Sequence, residues 1–136
     1  MDLEARKEVV RRCVALWYDL ARTDELRALL APDYVHHSAN GDLDADQLIE
    51  QLAYLAAAFS DVEYEIVHII GEDDIVAAFV DVKLTHTGDF AGIPATGRRV
   101  STSGATFFRI QDGVIVEDWD AWSLLSIVRQ LEAATD

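Results

Sequence analysis

Apolar residues recur every three to four positions through much of the first half of the chain, which is the spacing of one face of an α-helix. Thr23 and Asp44 stand at the start of two such stretches, and both residue types cap free backbone N–H groups at helix starts. Pro32 breaks the helical pattern, and a short extended segment follows it. The spacing therefore predicts helices over residues 3–22, 24–30 and 45–59, an extended segment over 33–37, a loop over 38–43, and a last helix that ends near Leu131.

The second half of the chain alternates apolar and polar residues, which is the pattern of half-buried β-strands. In the first of these strands, alternation places His68 on the same face as Tyr64 and Ile66. Gln-Asp-Gly at residues 111–113 predicts a hairpin turn. The predicted strands cover residues 62–70, 75–86, 99–110 and 114–122. Helices followed by a run of strands indicate an α+β fold, in which a curved antiparallel sheet carries helices on one face and can enclose a small-molecule cavity.

The charge balance narrows the classes of partner. The chain has 11 basic and 25 acidic residues and a formal charge of −14, which argues against nucleic acid and anionic membrane surfaces as partners.

Cys13 is the one cysteine, so neither an internal disulfide nor a cysteine zinc site can form. The first residues lack the basic and long apolar segments of a signal peptide, and no apolar run reaches the ~18 residues of a membrane span. We therefore expect a cytoplasmic protein.

Acidic residues lie beside tryptophans at the end of the last predicted strand. Removal from water by indole rings favours the neutral carboxylic acid, so such a group can exchange protons near neutral pH. Alternation puts Asp118, Asp120 and Trp122 on one face. Glu117 and Trp119 take the opposite face, so alternation does not decide which carboxylate faces a cavity. Asp120 is nearest the strand end and is the first candidate catalytic residue, with Asp118 second; either could instead be a solvated carboxylate or a helix cap.

Histidines supply further candidates. His68 and His86 lie on otherwise apolar strand faces, a position more typical of a hydrogen-bonded core histidine than of a base or ligand. His36 and His37 are adjacent in an extended segment, so their side chains point to opposite faces and are poor partners for one metal ion. We therefore expect no metal site, and we consider His37 a residue that lines a pocket or orders the following loop.

Aromatic residues of the predicted helices are more often core than site. Trp17 and Tyr18 lie on the first helix and Tyr54 on the third. The alternative for Tyr18 is a functional one, in which its hydroxyl reaches a carbonyl group of the substrate. The sequence contains no glycine-rich phosphate motif and no nucleophile elbow.

Segments spread over nearly the whole chain resemble SnoaL-like polyketide cyclases, a family of the superfamily typified by nuclear transport factor 2 and ketosteroid isomerase. The most specific segment reads His-Thr-Gly and then Pro-Ala-Thr-Gly-Arg within residues 85–98. The others are residues 33–37 (Asp-Tyr-Val-His-His), 108–113 (Phe-Arg-Ile-Gln-Asp-Gly), 115–119 (Ile-Val-Glu-Asp-Trp) and 130–131 (Gln-Leu). Relatives often carry an aspartate four residues after the tryptophan equivalent to Trp119, whereas this chain has Ser123 there.

The resemblance implies one cone-shaped α+β domain over residues 1–136, with the N-terminal helices on the concave face of its sheet. It also implies a cofactor-independent enzyme of antibiotic biosynthesis, active on a small hydrophobic polycyclic or oxo-ester substrate, and a homodimer or larger homo-oligomer. The implied reaction is an intramolecular aldol ring closure in which Asp120 removes a proton, and the aspartate or His86 returns one. The residues expected to contact substrate are Trp17, Tyr18, His37, Tyr54, His68, Phe107, Trp119 and Trp122.

Two other functions fit the same residues. An enzyme on this scaffold could use the aspartates to open an epoxide with water, to isomerise a substrate or to assist a hydroxylation, and Ser123 keeps this alternative open. A non-catalytic small-molecule binding module would need only a closed apolar cavity, because function lies in the site rather than in the fold.

Overall fold

Strands and helices account for most of the chain in the computed structural model, which describes residues 1–133. The helices are α1 (Leu3–Trp17), α2 (Thr23–Ala28), α3 (Ala45–Ala58) and α4 (Leu124–Glu132), with a short 3₁₀ helix at Leu20–Arg22. The strands are β1 (Leu30–Ser38), β2 (Gly41–Leu43), β3 (Phe59–Glu72), β4 (Ile75–His86), β5 (Arg99–Gln111) and β6 (Val114–Trp122). Within residues 1–133, no helix is long and apolar enough to cross a membrane.

These strands form one curved sheet in the order β2-β1-β6-β5-β4-β3. Neighbouring strands are antiparallel except β1 and β6, which run parallel. The helix α1 packs across β3 and β4, and α3 packs against β1 and β3. The predicted α+β fold with a curved sheet is confirmed, and the parallel β1–β6 pair is the exception to the expected antiparallel order.

The inner face of the sheet, which α1 covers, supplies most of the core. Every second residue of β4 from Val76 to His86 is buried, as strand alternation requires. Buried residues of α1 meet this face, among them Val10, Cys13 and Val14. The outer face is more exposed, so the two faces of the sheet have different chemistry.

Two local signals in the sequence form the structures that they predict. Oδ1 of Asp44 accepts a hydrogen bond from the Gln47 N–H at 2.9 Å, and Oε1 of Gln47 accepts one from the Asp44 N–H at 2.9 Å. This capping box fixes the start of α3. Asp112 and Gly113 have φ angles of 52° and 81°, the left-handed conformation that a two-residue hairpin turn needs.

Several predicted element ends are wrong. The first helix ends at Trp17, because the Tyr18 N–H bonds back to the Ala15 carbonyl and closes the last turn. Thr23 is the first residue of α2 and not its cap, and the cap position before it makes no side-chain hydrogen bond. The predicted loop 38–43 contains the short strand β2, which pairs with the end of β1.

The predicted face of His68 is also wrong. Ile66 pairs with Val80 and His68 with Phe79, so a register shift between Ile66 and His68 reverses the alternation of β3. His68 therefore lies exposed on the outer face, where its ring is 6.4 Å from that of Phe79.

Candidate active site

Side chains of β1 and β6 meet on the inner face of the sheet, where parallel pairing sets His36 level with Asp118. Alternation along β6 brings Asp118, Asp120 and Trp122 to this face, and alternation along β1 brings Tyr34 and His36. Tyr34, His36 and Asp118 are each at most 3 % exposed. Polar groups buried so deeply need partners, and these residues supply them to one another.

Hydrogen bonds lock His36 and Asp118 together. Nδ1 of His36 is 2.5 Å from Oδ1 of Asp118, and the Tyr34 hydroxyl donates to Oδ2 of Asp118 at 2.5 Å. On the other side of the ring, Nε2 of His36 is 3.1 Å from Oδ2 of Asp120. This second contact has the length of an ion pair but lacks the alignment of a hydrogen bond. One imidazole ring therefore lies between two carboxyl groups.

The charge of the cluster follows from these contacts. Burial on its own would lower the pKa of His36, but the hydrogen bond to Asp118 and the contact with Asp120 outweigh it and raise that pKa to about 9. His36 is therefore an imidazolium at neutral pH. Burial and the charge of Asp118 raise the pKa of the Tyr34 hydroxyl and of the Cys13 thiol, so both stay protonated.

Asp120 is the carboxyl group of this cluster that keeps an oxygen atom without a hydrogen bond. Both oxygens of Asp118 are engaged, whereas Oδ1 of Asp120 is buried and has no hydrogen-bond partner within the part of the chain that the structure describes. The Asp120 side chain is 16 % exposed, against 2 % for Asp118. A buried carboxylate oxygen without a partner is able to accept a hydrogen bond or a proton from a bound molecule.

Tyr18 lies close enough to Asp120 for the charge of that carboxyl group to act on it, and it stacks on Tyr64. The rings of Tyr18 and Tyr64 stack with centroids 5.1 Å apart. Burial, followed by the nearby Tyr64 and Asp120, raises the pKa of the Tyr18 hydroxyl, so this group remains a hydrogen-bond donor. Tyr64 is 39 % exposed, which puts this pair between the buried cluster and solvent.

The indole of Trp122 forms a flat wall two residues from Asp120. It lies directly over Gly104 on β5, where an added Cβ would be 2.2 Å from Cδ2 of the ring. Its Nε1–H donates to Oγ1 of Thr106 at 3.2 Å. Only glycine at position 104 leaves room for this arrangement, so ring and strand fix each other.

Four residues expected at the site lie instead on the outer face of the sheet. His37 stacks on Trp119 with ring centroids 5.5 Å apart, and its nitrogens contact Asp42 at 2.8 Å and Glu117 at 2.7 Å. His37 therefore orders the loop before α3 and does not line the inner face. The others on the outer face are Phe107, Trp119 and His68.

Two more expected residues lie at the opposite end of the sheet. His86 is fully buried and contacts Oγ1 of Thr96 at 2.9 Å. It is eight residues along β4 from Ala78, the position level with Asp120 across β5, or roughly 26 Å of strand. The structure therefore does not bring His86 to Asp120. The Tyr54 hydroxyl accepts a hydrogen bond from the Ala91 N–H in the same region.

Of the remaining candidates, Asp118, Asp120, Tyr18 and Trp122 come together, and Trp17 stacks on Phe108 beside them. Sequence reasoning missed His36 and Tyr34. Alternation in β1 would have grouped these two on one face, but their contact with β6 spans more than 80 residues and depends on a parallel pairing that no local pattern specifies.

Surface concavities lie away from this cluster. One of about 690 Å³ is lined by Met1, Arg6 and the hairpin turn at residues 110–113, and one of about 380 Å³ lies along α4. Neither includes Asp120 or its partners, so we assign the site from the chemistry of the buried cluster. Within residues 1–133, no group of three or more His, Cys, Asp or Glu side chains is arranged to hold a metal ion.

Comparisons with known proteins find relatives over nearly the whole chain. The family model described as SnoaL-like polyketide cyclase matches residues 7–131. The aklanonic acid methyl ester cyclase DauD of Streptomyces sp. (strain C5) is 31 % identical over 132 residues, which cover 91 % of this chain and 80 % of DauD.

Solved structures show the same fold. AclR of Streptomyces galilaeus, described as a putative hydroxylase, superposes with a TM-score of 0.88 at 29 % identity and covers 97 % of this chain and 98 % of AclR. A protein of Catenulispora acidiphila with a ketosteroid isomerase-like fold superposes with a TM-score of 0.74 at 22 % identity, over 92 % of each chain.

Proposed function

The chain belongs to the SnoaL-like polyketide cyclase family, and on that premise we propose that it closes a ring in a polyketide-derived ester by an intramolecular aldol reaction in which Asp120 is the base. The unpartnered, buried Oδ1 of Asp120 is the observation that supports this role most directly. It is the oxygen of the cluster that is free to take a proton from a bound molecule.

The proposed reaction needs one base and a pocket that holds the folded substrate. Asp120 removes a proton from the carbon between a ketone and an ester, and the electron pair of that C–H bond becomes an enolate. The enolate carbon attacks a second ketone of the same molecule, a C–C bond forms, and the electron pair of that C=O bond becomes an alkoxide. Asp120 then returns the proton to the alkoxide, so product and substrate have the same composition.

The surroundings of Asp120 suit such a substrate. Trp122 offers a flat apolar wall, and the Tyr18 hydroxyl is a donor for a carbonyl oxygen. Hydrogen bonds to an oxygen that gains negative charge stabilise the transition state more than the ground state. A small hydrophobic polycyclic ester therefore fits the site better than a charged or strongly polar molecule.

We also propose that the protein forms a homo-oligomer through the outer face of its sheet. Large apolar side chains there are exposed, including Ile70 at 66 %, Phe107 at 48 % and Phe79 at 40 %. Apolar patches of this kind are typical of surfaces that another protein covers.

The test of the reaction is incubation with aklanonic acid methyl ester, the compound in the name of the relative DauD. We expect a product of unchanged mass that contains one ketone fewer and one new hydroxyl group. Hydration would add about 18 mass units and hydrolysis of the methyl ester would remove about 14, and either product in place of the cyclised isomer would contradict the proposal. Failure of the protein to convert this compound or any related oxo-ester would also contradict the proposal.

Hydroxylation is the second candidate, because AclR is described as a putative hydroxylase and is similar over nearly its whole length. A hydroxylation inserts one oxygen atom, which adds about 16 mass units and consumes an oxidant. The same mass measurement therefore separates the two candidates.

A further inference from the structure

We propose that His36 is a positioning residue for this reaction: its ring, locked in place by Asp118, pairs with Oδ2 of Asp120 and directs Oδ1 toward the substrate. The inference rests on the proposed function, since it assigns how the base is held and not the base itself. The sequence patterns gave His36 no catalytic or positioning role, and its proposed role follows from its place between two carboxyl groups.

The geometry gives His36 two unequal neighbours. Hydrogen bonds run from the Tyr34 hydroxyl to Oδ2 of Asp118 and from Nδ1 of His36 to Oδ1 of Asp118. These bonds fix the orientation of the ring and present Nε2 to Asp120 at 3.1 Å. Because Nε2 contacts Oδ2 of Asp120, the other oxygen, Oδ1, is the one turned away from the histidine.

The charge of His36 is what makes this contact useful. A carboxylate removed from water reverts to the neutral acid unless an opposite charge lies close to it, and a neutral acid is no base. His36 is the basic side chain that the described part of the chain brings into contact with Asp120. The other titratable groups on which the charge of Asp120 acts are Tyr18, which follows α1, and Tyr34 on β1.

The decisive experiment is the pH dependence of kcat/KM for His36→Gln, with aklanonic acid methyl ester as the substrate. Glutamine keeps a side-chain hydrogen-bond donor but carries no charge. We expect the acid limb of the profile to move to higher pH by about one unit or more, with activity partly restored above the new limb. A loss of kcat/KM by the same factor at every pH would overturn the proposal. Replacement of a residue with a purely structural role would leave the pH of the acid limb unchanged.

His37→Gln is the matched control. It makes the same change in the adjacent residue, which also contacts carboxylates but lies on the outer face. We expect its acid limb to coincide with that of the unchanged protein. An equal shift in both variants would overturn the assignment to His36.

A measurement on the unchanged protein keeps the inference testable if His36→Gln does not fold. Nitrogen-15 NMR of the imidazole rings reports their protonation without any substrate. We expect His36 to keep both ring protons up to about pH 9 and to lose one at lower pH in Asp120→Asn. A neutral His36 ring at pH 7 would overturn the proposal. Full cyclase activity in Asp120→Asn would instead overturn the proposed function, so the two failures are distinguishable.

Discussion

The chemistry of the site depends on how a few buried atoms share hydrogen bonds. Asp118 has both oxygens occupied by Tyr34 and His36, whereas Asp120 keeps one oxygen without a partner. Two aspartates of the same strand face therefore differ in their free hydrogen-bonding capacity, and we propose that only Asp120 contacts a ligand. The difference arises from register, because His36 is level with Asp118 and not with Asp120.

The protonation of His36 makes stability depend on pH. The pKa of His36 rises from about 6.5 in the unfolded chain to about 9 in the folded protein, so the native state binds the proton more tightly. This stabilisation is fully present below about pH 6.5 and is lost as pH rises through about 9, with a magnitude of a few kcal/mol. Denaturant unfolding of the unchanged protein should show that decline between these limits, and His36→Gln should show a much flatter curve. Equal slopes for both proteins would contradict this account.

Substitution of Gly104 should act by displacing the neighbouring Trp122 ring. Gly104→Ala would place a Cβ 2.2 Å from the Trp122 ring, so the indole must move. We expect a loss of about 1–3 kcal/mol of unfolding free energy and a changed tryptophan fluorescence spectrum. Ala105→Ser, the neighbouring residue on the other face of β5, is the control and should change neither. Unaltered fluorescence in Gly104→Ala would show that Trp122 does not lie against this strand.

At the scale of elements, helix ends and strand register determine which residues reach the site. The capping box at Asp44 starts α3 at a fixed point, and α3 then packs against β1, the strand that carries His36. The register shift in β3 has an equally local effect, since it turns His68 outward while Ile69 returns to the inner face opposite Ala78.

Removal of the α3 cap should reduce stability without touching the active-site chemistry. Asp44→Ala removes the acceptor for the Gln47 N–H, and we expect it to lower the free energy of unfolding by about 1 kcal/mol. Glu50→Ala, at an exposed position of the same helix, is the control and should stay within about 0.5 kcal/mol of the unchanged protein. Chemical denaturation measures both, and equal stabilities of the two variants would refute the cap's contribution.

At the scale of the whole molecule, the sequence predicted the fold class and most strands because their signals are local. Alternation is clear in β4, which begins and ends at the predicted residues. The site was only partly predictable: Asp118 and Asp120 stood out beside tryptophans, but His36 did not. Its place beside Asp118 depends on a parallel pairing of β1 with β6, and periodicity within a strand carries no information about which strand lies next to it.

The outer face gives a test of assembly at the same scale. Phe107→Asp places a charge in the middle of the exposed apolar surface, so we expect the proposed oligomer to dissociate toward monomers. Leu125→Asp, which charges an exposed leucine of α4, is the control and should leave the assembly unchanged. Sedimentation velocity measures both masses. An unchanged mass for Phe107→Asp would contradict assembly through this face.

The most direct test of the central claim is kcat/KM for Asp120→Asn on aklanonic acid methyl ester, beside the same substitution at Asp81. Asparagine has nearly the shape of aspartate but cannot accept the substrate's proton, whereas Asp81 lies exposed on the outer face, with its Oδ1 bound to Ser103. We predict a loss of about 10²–10⁴-fold for Asp120→Asn and no loss for Asp81→Asn. Activity of Asp120→Asn within a few-fold of the unchanged protein would contradict the assignment of Asp120 as the base.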